Sequence, residues 1–418
     1  MPSIDRRTFL GTLAVGAGVG LAGCSSSCPD SESPTPDAVF GAGEAGSGFQ
    51  RLPGGAWPAP RFDAANTGYA PSRRAPTDTP TLRWRTTLPA PSVEDTAADV
   101  SSPTVADGRV YLTTGAGAFA VALRDGTDRW RNTDLTPATA GPTVGYEREL
   151  APPVVGDGVV YVATTDGVAA LRTDDGTVAW RYTDAAATGT PALADGALFV
   201  PTDGGLVALD AADGRERWAD GAGAETALPA VAEGTVVVAG EELTALDAAT
   251  GDTRWTSPVR PEFYPVVADG TVYLGTYEGV VGVALADGTE RWTVDRGSGR
   301  TFSAPVVTPE TLYAVERPGE AGDATFALDR TGDGPPSPRW CSYVGEGAVT
   351  AATEGHAFAL QNGGNDRSPP VRLVAFTERF GEAAWGFASA ERLVPPAVLD
   401  GGVVTANRFG TVVAFGGG

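Results

Sequence analysis

The chain has no lysine, a single histidine and only three cysteines among its 418 residues. Because structural zinc centres are built mainly from histidine and cysteine, this scarcity excludes a zinc site. The cysteines, Cys24, Cys28 and Cys341, are too few for a disulfide framework, and we expect no bond between Cys28 and Cys341. The sequence therefore predicts a fold stabilised by packing.

Basic residues are also scarce, since 30 arginines oppose 52 acidic residues and the formal net charge is −22. Apart from Arg73-Arg74, the sequence has no cluster of basic side chains that could neutralise nucleic-acid phosphates, so we expect no nucleic-acid partner. An acidic surface without lysine is typical of proteins kept soluble in strong salt, where electrostatic repulsion is screened within about 3 Å. We therefore expect a halophilic, haloarchaeal origin.

No hydrophobic run is long enough for a membrane-spanning helix, which needs about 20 residues. The apolar run Phe9–Ala22 follows Arg6 and Arg7, which form a twin-arginine export signal. It ends in Leu21-Ala22-Gly23-Cys24, which resembles a lipobox. Residues 1–23 are thus predicted to be a signal peptide and Cys24 a lipidation site; an uncleaved signal anchor is the alternative.

Residues 24–55 are rich in serine, glycine, proline and other small residues, which cannot bury a core. This segment is predicted to be a flexible tether. With the export signal and the lipid anchor, it indicates a chain held at the extracytoplasmic face of the cytoplasmic membrane.

Tryptophans divide the rest of the chain at spacings of 37 to 50 residues. Eight of the nine close a recurring phrase, which in its fullest form reads A-L-D-A-A-T-G-D-T-R-W. They are Trp84, Trp130, Trp180, Trp218, Trp255, Trp292, Trp340 and Trp385. A period in this range predicts a repeat architecture.

Each clear repeat contains the signals of four short strands. It begins with x-P-x-V, as in Tyr264-Pro265-Val266-Val267, and continues through an Asp-Gly pair such as Asp269-Gly270. Such pairs tolerate the positive φ of a tight hairpin, and the runs around them are rich in β-branched residues. Four antiparallel strands per repeat are typical of a propeller blade. Sandwiches in series are the alternative, but they give no reason for eight copies of one phrase.

The two ends of the repeat region complement each other. The last unit, residues 394–415, has three strands and no tryptophan, whereas Thr81–Arg85 with Trp84 is a fourth strand without a preceding unit. Pairing them would complete a blade and remove both exposed edges. The sequence therefore predicts an all-β, eight-bladed propeller over residues 56–418, whose last blade is closed by the strand around Trp84.

The repeated phrase resembles that of the pyrroloquinoline-quinone (PQQ) propeller superfamily, A-x-D-x-x-x-G-x-x-x-W. Residues 208–218 and 245–255 match it, and Trp57-Pro58 through Arg61, Asp63 and Asn66-Thr67-Gly68 is similar to the segment that precedes the first blade in these proteins. The resemblance implies that the tryptophans dock between neighbouring blades as core residues. It covers both quinoprotein dehydrogenases and BamB-like lipoproteins.

In the dehydrogenase branch, the resemblance implies a cofactor held in the central channel by an adjacent-cysteine disulfide, a calcium ion and a catalytic aspartate. This sequence has no Cys-Cys pair, and His356 lies where other repeats have their hairpin turn. We therefore expect no catalytic residue and no cofactor, with PQQ and Ca²⁺ as the alternative. Asp329–Gly334 imitates the start of an EF-hand loop, but position twelve is Trp340 instead of glutamate, which favours a simple hairpin without metal.

Loops that follow the tryptophan strands should surround one mouth of the channel. Candidate binding residues in them are Glu149, Glu225, Glu262, Tyr264, Arg300, Phe302, Glu346 and Arg392, next to Phe263. Converging charged and aromatic groups could bind a cation, a sugar or a peptide, or they could be solvated loop residues.

The sequence favours a non-catalytic, membrane-anchored, monomeric propeller that acts as a scaffold for another extracytoplasmic protein or a ligand. A PQQ-dependent alcohol or sugar dehydrogenase is one alternative. A sensor or substrate-binding module of a transport or respiratory system is another.

Overall fold

The computed structural model describes residues 39–40, 56–71, 74, 76, 80–92, 99–140, 149–221, 228–296, 300–318, 323–332, 334–343, 346–362, 371–389 and 391–417. Within these ranges there are only strands, turns and loops, and no helix that is long and apolar enough to cross a membrane. The predicted signal residues Arg6 and Arg7, the lipidation residue Cys24 and most of the tether lie outside these ranges.

Eight four-stranded antiparallel units form the eight-bladed propeller that the repeats predict. Within each blade we number the strands from the inner one, beside the channel, to the outer one. The strands of blades 1 to 4 are Thr104–Ala106, Arg109–Thr114, Gly117–Ala122 and Asp128–Asn132; Val154–Gly156, Val159–Thr164, Gly167–Arg172 and Val178–Tyr182; Ala192–Ala194, Ala197–Thr202, Gly205–Asp210 and Glu216–Asp220; and Ala230–Ala232, Thr235–Ala239, Leu243–Asp247 and Thr253–Ser257.

The strands of blades 5 to 8 are Val266–Ala268, Thr271–Gly275, Gly279–Ala284 and Glu290–Asp295; Arg300–Phe302 with Val306–Val307, Thr311–Pro318, Ala324–Asp329 and Ser337–Tyr343; Glu346–Thr353, His356–Asn362, Val371–Thr377 and Ala383–Ser389; and Ala397–Leu399, Gly402–Ala406, Thr411–Gly416 and Thr81–Thr87. Two short strands extend blade 7 in parallel, Val39–Phe40 at its outer edge and Tyr69–Ala70 at its inner edge. Thr139–Ala140 pairs with Glu149–Leu150 between blades 1 and 2.

The ring closes as predicted, between the two ends of the repeat region. Thr81–Thr87 pairs antiparallel with Thr411–Gly416, and Trp84 lies opposite Ala414. The eighth blade therefore combines three C-terminal strands with one N-terminal strand, which leaves neither segment with an unpaired edge.

The tight turns after the inner strands have the backbone geometry that their residues favour. In five blades the first turn residue, an aspartate or glutamate, has a φ of 48–51°, and the following glycine has a φ of 66–77°. Two successive positive φ values define a type I′ hairpin, whose twist matches that of the strands it joins. The turn sequences thus encode the hairpins locally.

Blade 3 shows what each part of the repeated phrase does. Ala208 lies opposite Trp218 in the sheet, and the Asp210 carboxylate accepts a 2.9 Å hydrogen bond from the backbone N–H of Ala212 in the turn. Gly214 then takes a φ of 75°, and a Cβ there would lie 2.5 Å from the indole of Trp180 in blade 2. The phrase therefore places a glycine beneath the tryptophan of the preceding blade.

The indole N–H groups fix the same contact between most neighbouring blades. They donate to backbone carbonyls of the next blade in the pairs Trp84–Leu123, Trp130–Thr173, Trp180–Ala211, Trp218–Ala248, Trp255–Leu285 and Trp340–Glu378. Trp385 donates to Pro76, near the N-terminal strand that completes blade 8. The glycine packing differs at Trp292. Gly332, in the third-to-fourth turn of the next blade, has no atom within 4 Å of its Cβ position, so no indole covers it.

The core consists of apolar layers between adjacent blades. One layer joins Val238 of blade 4 to Phe199 and Trp218 of blade 3, and the other layers repeat this pattern around the ring. Cys341, on the outer strand of blade 6, is disulfide-bonded, in contrast to the expectation from the cysteine count. Its partner lies outside the described residues.

Candidate functional site

The inner strand is the edge of each blade's own four strands, so half of its backbone polar groups point into the channel. Alternate residues of a strand direct their backbone N–H and C=O groups to the same edge of the sheet. The backbone groups of the proline and of the valine in x-P-x-V therefore both point to the channel. Proline has no N–H, and its position removes one donor that would otherwise need a partner there. The motif thus leaves a carbonyl from the proline and an N–H from the valine pointing to the axis.

Residues 56–71, which we call the channel segment, supply partners for these groups. Inner-strand N–H groups of blades 1, 2, 4, 5, 6 and 7 donate to its carbonyls at 2.7–2.9 Å, in the pairs Val105–Trp57, Val155–Pro58, Val231–Ala64, Val267–Ala65, Val307–Thr67 and Ala352–Gly68. Backbone groups that would be buried without partners are therefore satisfied by one continuous segment of the same chain.

Arg61 projects from the channel segment among the proline-level carbonyls. It is 4% exposed, and its guanidinium donates to the carbonyls of Pro305 at 2.6 Å and Thr350 at 3.2 Å. Its Cζ also lies 5.5 Å from the centre of the Tyr264 ring. A buried guanidinium with several acceptors and an aromatic neighbour joins blades 5, 6 and 7 at the axis.

Asn66 does the same for blades 4 and 5. Its side-chain amide donates to the carbonyls of Pro229 and Pro265, both at 3.1 Å. Its backbone has a φ of 60°, a left-handed conformation that asparagine tolerates better than most residues. Arg61 and Asn66 together supply donors to four inner strands.

Asp63 holds the channel segment in its turn. Its carboxylate accepts hydrogen bonds from the backbone N–H of Thr67 at 3.0 Å and from the Thr67 hydroxyl at 2.6 Å. Burial raises the pKa of Asp63, although the hydrogen bonds from Thr67 act in the opposite direction. Trp57, 1% exposed, packs against Phe62 and anchors the other end of the segment.

Three of the predicted mouth residues lie inside the protein. Tyr264 and Phe302 belong to the apolar layer between blades 5 and 6, and Glu149 is buried beside blade 2. Burial raises the pKa of Tyr264; Arg61 opposes this shift, whereas Glu149 adds to it. The charges of Arg61 and Glu149 therefore both act on the Tyr264 hydroxyl, in opposite directions.

Arg300, another predicted mouth residue, belongs to an ion cluster at blade 6. The carboxylate of Glu316 binds Arg300 through one oxygen and Arg296 through the other, the latter at 3.1 Å. The Glu316 side chain is 3% exposed, and the guanidinium of Arg296 lies 4.5 Å from the centre of the Phe326 ring. This cluster attaches the loop between blades 5 and 6 to the second strand of blade 6.

Glu262 and Arg392 lie beside exposed aromatic side chains. The backbone N–H of Glu262 donates to Gly275, and its side chain bonds to Tyr277, which is 59% exposed. The carbonyl of Arg392 accepts from Arg408, next to Phe409, which is 49% exposed. Burial raises the pKa of Glu262, and the bond to Tyr277 opposes this shift.

Both aromatics lie in loops that join the second and third strands of a blade, so they share the side of the ring that we call the loop face. Phe380, also exposed, lies in a third-to-fourth turn and therefore on the opposite side, the turn face. Glu225 lies outside the described residues, and Glu346 begins the inner strand of blade 7, with its side chain outside them.

The candidate metal and acid–base residues lie at the ends of strands, next to turns. The Asp329 carboxylate accepts from the Thr331 hydroxyl at 2.6 Å and from Arg339 at 2.9 Å, and these bonds lower its pKa to about 2. His356 starts a strand directly after the Glu354-Gly355 turn, and burial lowers its pKa. Across the described part of the chain, no group of three or more His, Cys, Asp or Glu residues could hold a metal ion.

Arg61 and Asn66, whose side chains bind carbonyls of blades 4 to 7, have no role that the sequence predicts. The only signal was their place in the segment that resembles the family's pre-blade region. Their carbonyl partners lie 163 to 289 residues away in sequence, which no local pattern shows.

Comparisons with known proteins agree with the propeller fold. A family model described as outer membrane protein assembly factor BamB matches residues 75–144, 117–228 and 206–334, which together cover more than half of the chain. Among solved structures, BamB from Moraxella catarrhalis is 14% identical with a TM-score of 0.55, over 79% of this chain and 97% of that one. The computationally designed Ika8 protein is 13% identical with a TM-score of 0.57, over 78% and 99%. A search of curated proteins found no match.

Proposed function

Because the chain belongs to the family described as outer membrane protein assembly factor BamB, we propose that it is a non-catalytic, membrane-anchored scaffold that binds another extracytoplasmic protein. A shared fold does not establish a shared function, so the proposal depends on the site. The family description names outer-membrane assembly. We do not extend that process to this chain, because the composition favours a haloarchaeal cell, which has no outer membrane.

The occupied channel is the observation that carries the proposal. In the dehydrogenase branch of the superfamily the cofactor binds in the central channel. Here Arg61 and Asn66 lie in the channel, and their donors are engaged with carbonyls of blades 4 to 7. The PQQ carboxylates and a calcium ion would therefore have to displace groups that already satisfy one another, which supports a function on the outer surface.

The loop face offers a suitable surface for a protein partner. Tyr277 and Phe409 are exposed there, and each has a charged neighbour, Glu262 for Tyr277 and Arg408 for Phe409, whose guanidinium lies 5.0 Å from the ring centre. Aromatic and arginine side chains contribute much of the binding energy at protein interfaces. The proposed partner thus contacts the loop face.

Site-specific photocrosslinking tests this assignment. We expect a benzophenone side chain at position 277, in membranes from the native host, to crosslink one discrete protein. The matched control is the same group at position 380, an exposed aromatic position on the turn face, which we expect to give no such product. Equal products from both positions would contradict a loop-face partner.

Titration of the full chain with PQQ and Ca²⁺ tests the absence of catalysis. We expect no saturable cofactor absorbance and no dye-linked oxidation of alcohols or sugars. Stoichiometric binding with turnover would instead establish a quinoprotein dehydrogenase. The anchor has its own test: Cys24→Ser should release the chain from membranes, whereas Cys28→Ser should leave it attached.

A further inference from the structure

The channel segment has the contacts of a bound peptide. It contains no long strand of its own, and its only regular pairing is the two-residue strand Tyr69–Ala70 beside blade 7. Apart from the two hydrogen bonds that Trp57 exchanges with Val105, the segment accepts single hydrogen bonds from the inner strands of blades 2, 4, 5 and 6. Residues 59–65 form turns and bends. Like a peptide bound at exposed sheet edges, the segment combines backbone hydrogen bonds, which give affinity, with side-chain contacts, which give selectivity.

Three side chains give the segment a defined register in the channel. Trp57 fills an apolar site at one end, where its backbone exchanges both hydrogen bonds with Val105 at 2.6 and 2.8 Å. Arg61 and Asn66 then direct five hydrogen-bond donors at carbonyl oxygens, four of them on the blades. A segment shifted by one residue would lose these matches, because its arginine and asparagine donors would no longer reach the four blade carbonyls.

The blade groups that bind the channel segment do not depend on the covalent link between that segment and the blades. Carbonyls of Pro229, Pro265, Pro305 and Thr350 and the N–H groups of the neighbouring inner strands are presented by blades 4 to 7. Those blades pair their own strands without help from residues 56–71, except for the short addition to blade 7.

We propose that the channel is a peptide-binding site, selective for a segment that turns between a tryptophan, an arginine and an asparagine at the spacing of Trp57, Arg61 and Asn66, and that residues 56–71 are its resident ligand. The site therefore binds the same peptide supplied in trans, including residues 56–71 of a second copy. This inference is independent of the loop-face partner, since the two surfaces share none of these groups.

Cleavage of the intact chain tests the inference. A protease recognition sequence inserted between Pro71, which is exposed, and Ser72 allows the folded full-length protein to be cut. A second recognition sequence between Gly54 and Gly55 separates Val39–Phe40, which pair with blade 7, from the channel segment. We expect residues 56–71 to remain with the ring in size-exclusion chromatography. Cys341→Ser is included in this variant so that no disulfide can hold the fragment. Release of the fragment from a ring with unchanged thermal stability would overturn the proposal, as would unfolding of the ring on cleavage.

Exchange then measures selectivity. A fluorescent synthetic peptide of residues 56–71 should replace the resident fragment in the cut protein, followed by anisotropy. Peptides with Arg61→Met or Asn66→Asp should bind about 10- to 100-fold more weakly, because each loses donors to buried carbonyls. A peptide with Pro71→Ala is the matched control and should bind like the wild type, because Pro71 is exposed. Equal binding by all four peptides would refute a defined site.

Discussion

The indole of Trp130 in blade 1 lies directly on Gly176 in blade 2, so closely that a Cβ on Gly176 would be 2.5 Å from its Cε3 atom. The N–H of the same indole donates a 2.7 Å hydrogen bond to Thr173. The tryptophan of the repeated sequence thus joins neighbouring blades in two ways at one place, by close packing on a glycine and by a hydrogen bond from its indole N–H.

Gly176→Ala should destabilise the ring strongly. Gly176 has a φ of 71°, and a side chain there costs about 1–2 kcal/mol in backbone strain. The clash with Trp130 should add about 1–3 kcal/mol of overpacking. Gly196→Ala is the matched control, because its φ is 69° but the nearest neighbour of its Cβ is 3.8 Å away. Equal urea midpoints for the two variants would contradict a role for the indole contact.

Asn66→Asp should destabilise the channel without changing the backbone preference, since both residues tolerate a left-handed φ. The carboxylate cannot donate to Pro229 and Pro265, so we expect a loss of about 2–5 kcal/mol in unfolding free energy. Asn407→Asp is the control: Asn407 uses its side-chain oxygen to accept from Phe409 and Thr411, and a carboxylate keeps that function. Chemical unfolding in one buffer would compare them, and similar losses would refute the role of the Asn66 amide.

Glu316→Gln should leave Arg296 and Arg300 partly buried without their counter-charge. Breaking a buried ion pair typically costs about 3–5 kcal/mol. The exposed pair Arg215–Asp213 provides the comparison, because Asp213→Asn should cost about 1 kcal/mol or less. Thermal unfolding measures both. A Glu316 variant as stable as the Asp213 variant would show that the cluster contributes nothing to the attachment of the loop.

The pH dependence of stability should change in Asp329→Asn. The pKa of Asp329 is lowered to about 2 by the Thr331 hydroxyl and then by Arg339. A carboxyl with a depressed folded pKa stabilises the fold above its unfolded value of about 3.9, and this contribution is lost as the pH falls towards about 2. Wild type should therefore lose more stability than the variant between pH 4 and pH 2, measured by urea unfolding. Parallel curves would contradict this assignment.

The stability of the fold should depend on salt concentration, because a net charge of −22 destabilises a compact chain through repulsion between its own charges. We expect the unfolding temperature to rise from dilute buffer to molar NaCl or KCl, where screening becomes short-ranged. Calorimetry of the purified mature protein checks this. Equal stability in both conditions would count against the halophilic origin.

Local sequence was sufficient for the blades but insufficient for most of the site. Asp107-Gly108 and its equivalents encode their hairpins through φ alone, and Trp84 with the last three strands showed how the ring closes. Tyr264 lies in a loop before an inner strand, as predicted, whereas Phe302 ends the short strand Arg300–Phe302, and both are buried between blades 5 and 6. Their burial depends on how two neighbouring repeats pack, which a single repeat does not reveal.

The sequence by itself determined the eight blades, because turn conformation, strand alternation and the tryptophan–glycine contact are each encoded within about one repeat. The tertiary structure alone decided what occupies the channel. The carbonyls that Arg61 contacts at Pro305 and Thr350 lie 244 and 289 residues further along the chain. Only the closed ring brings those edge groups to one axis, where buried backbone groups need partners and the channel segment provides them.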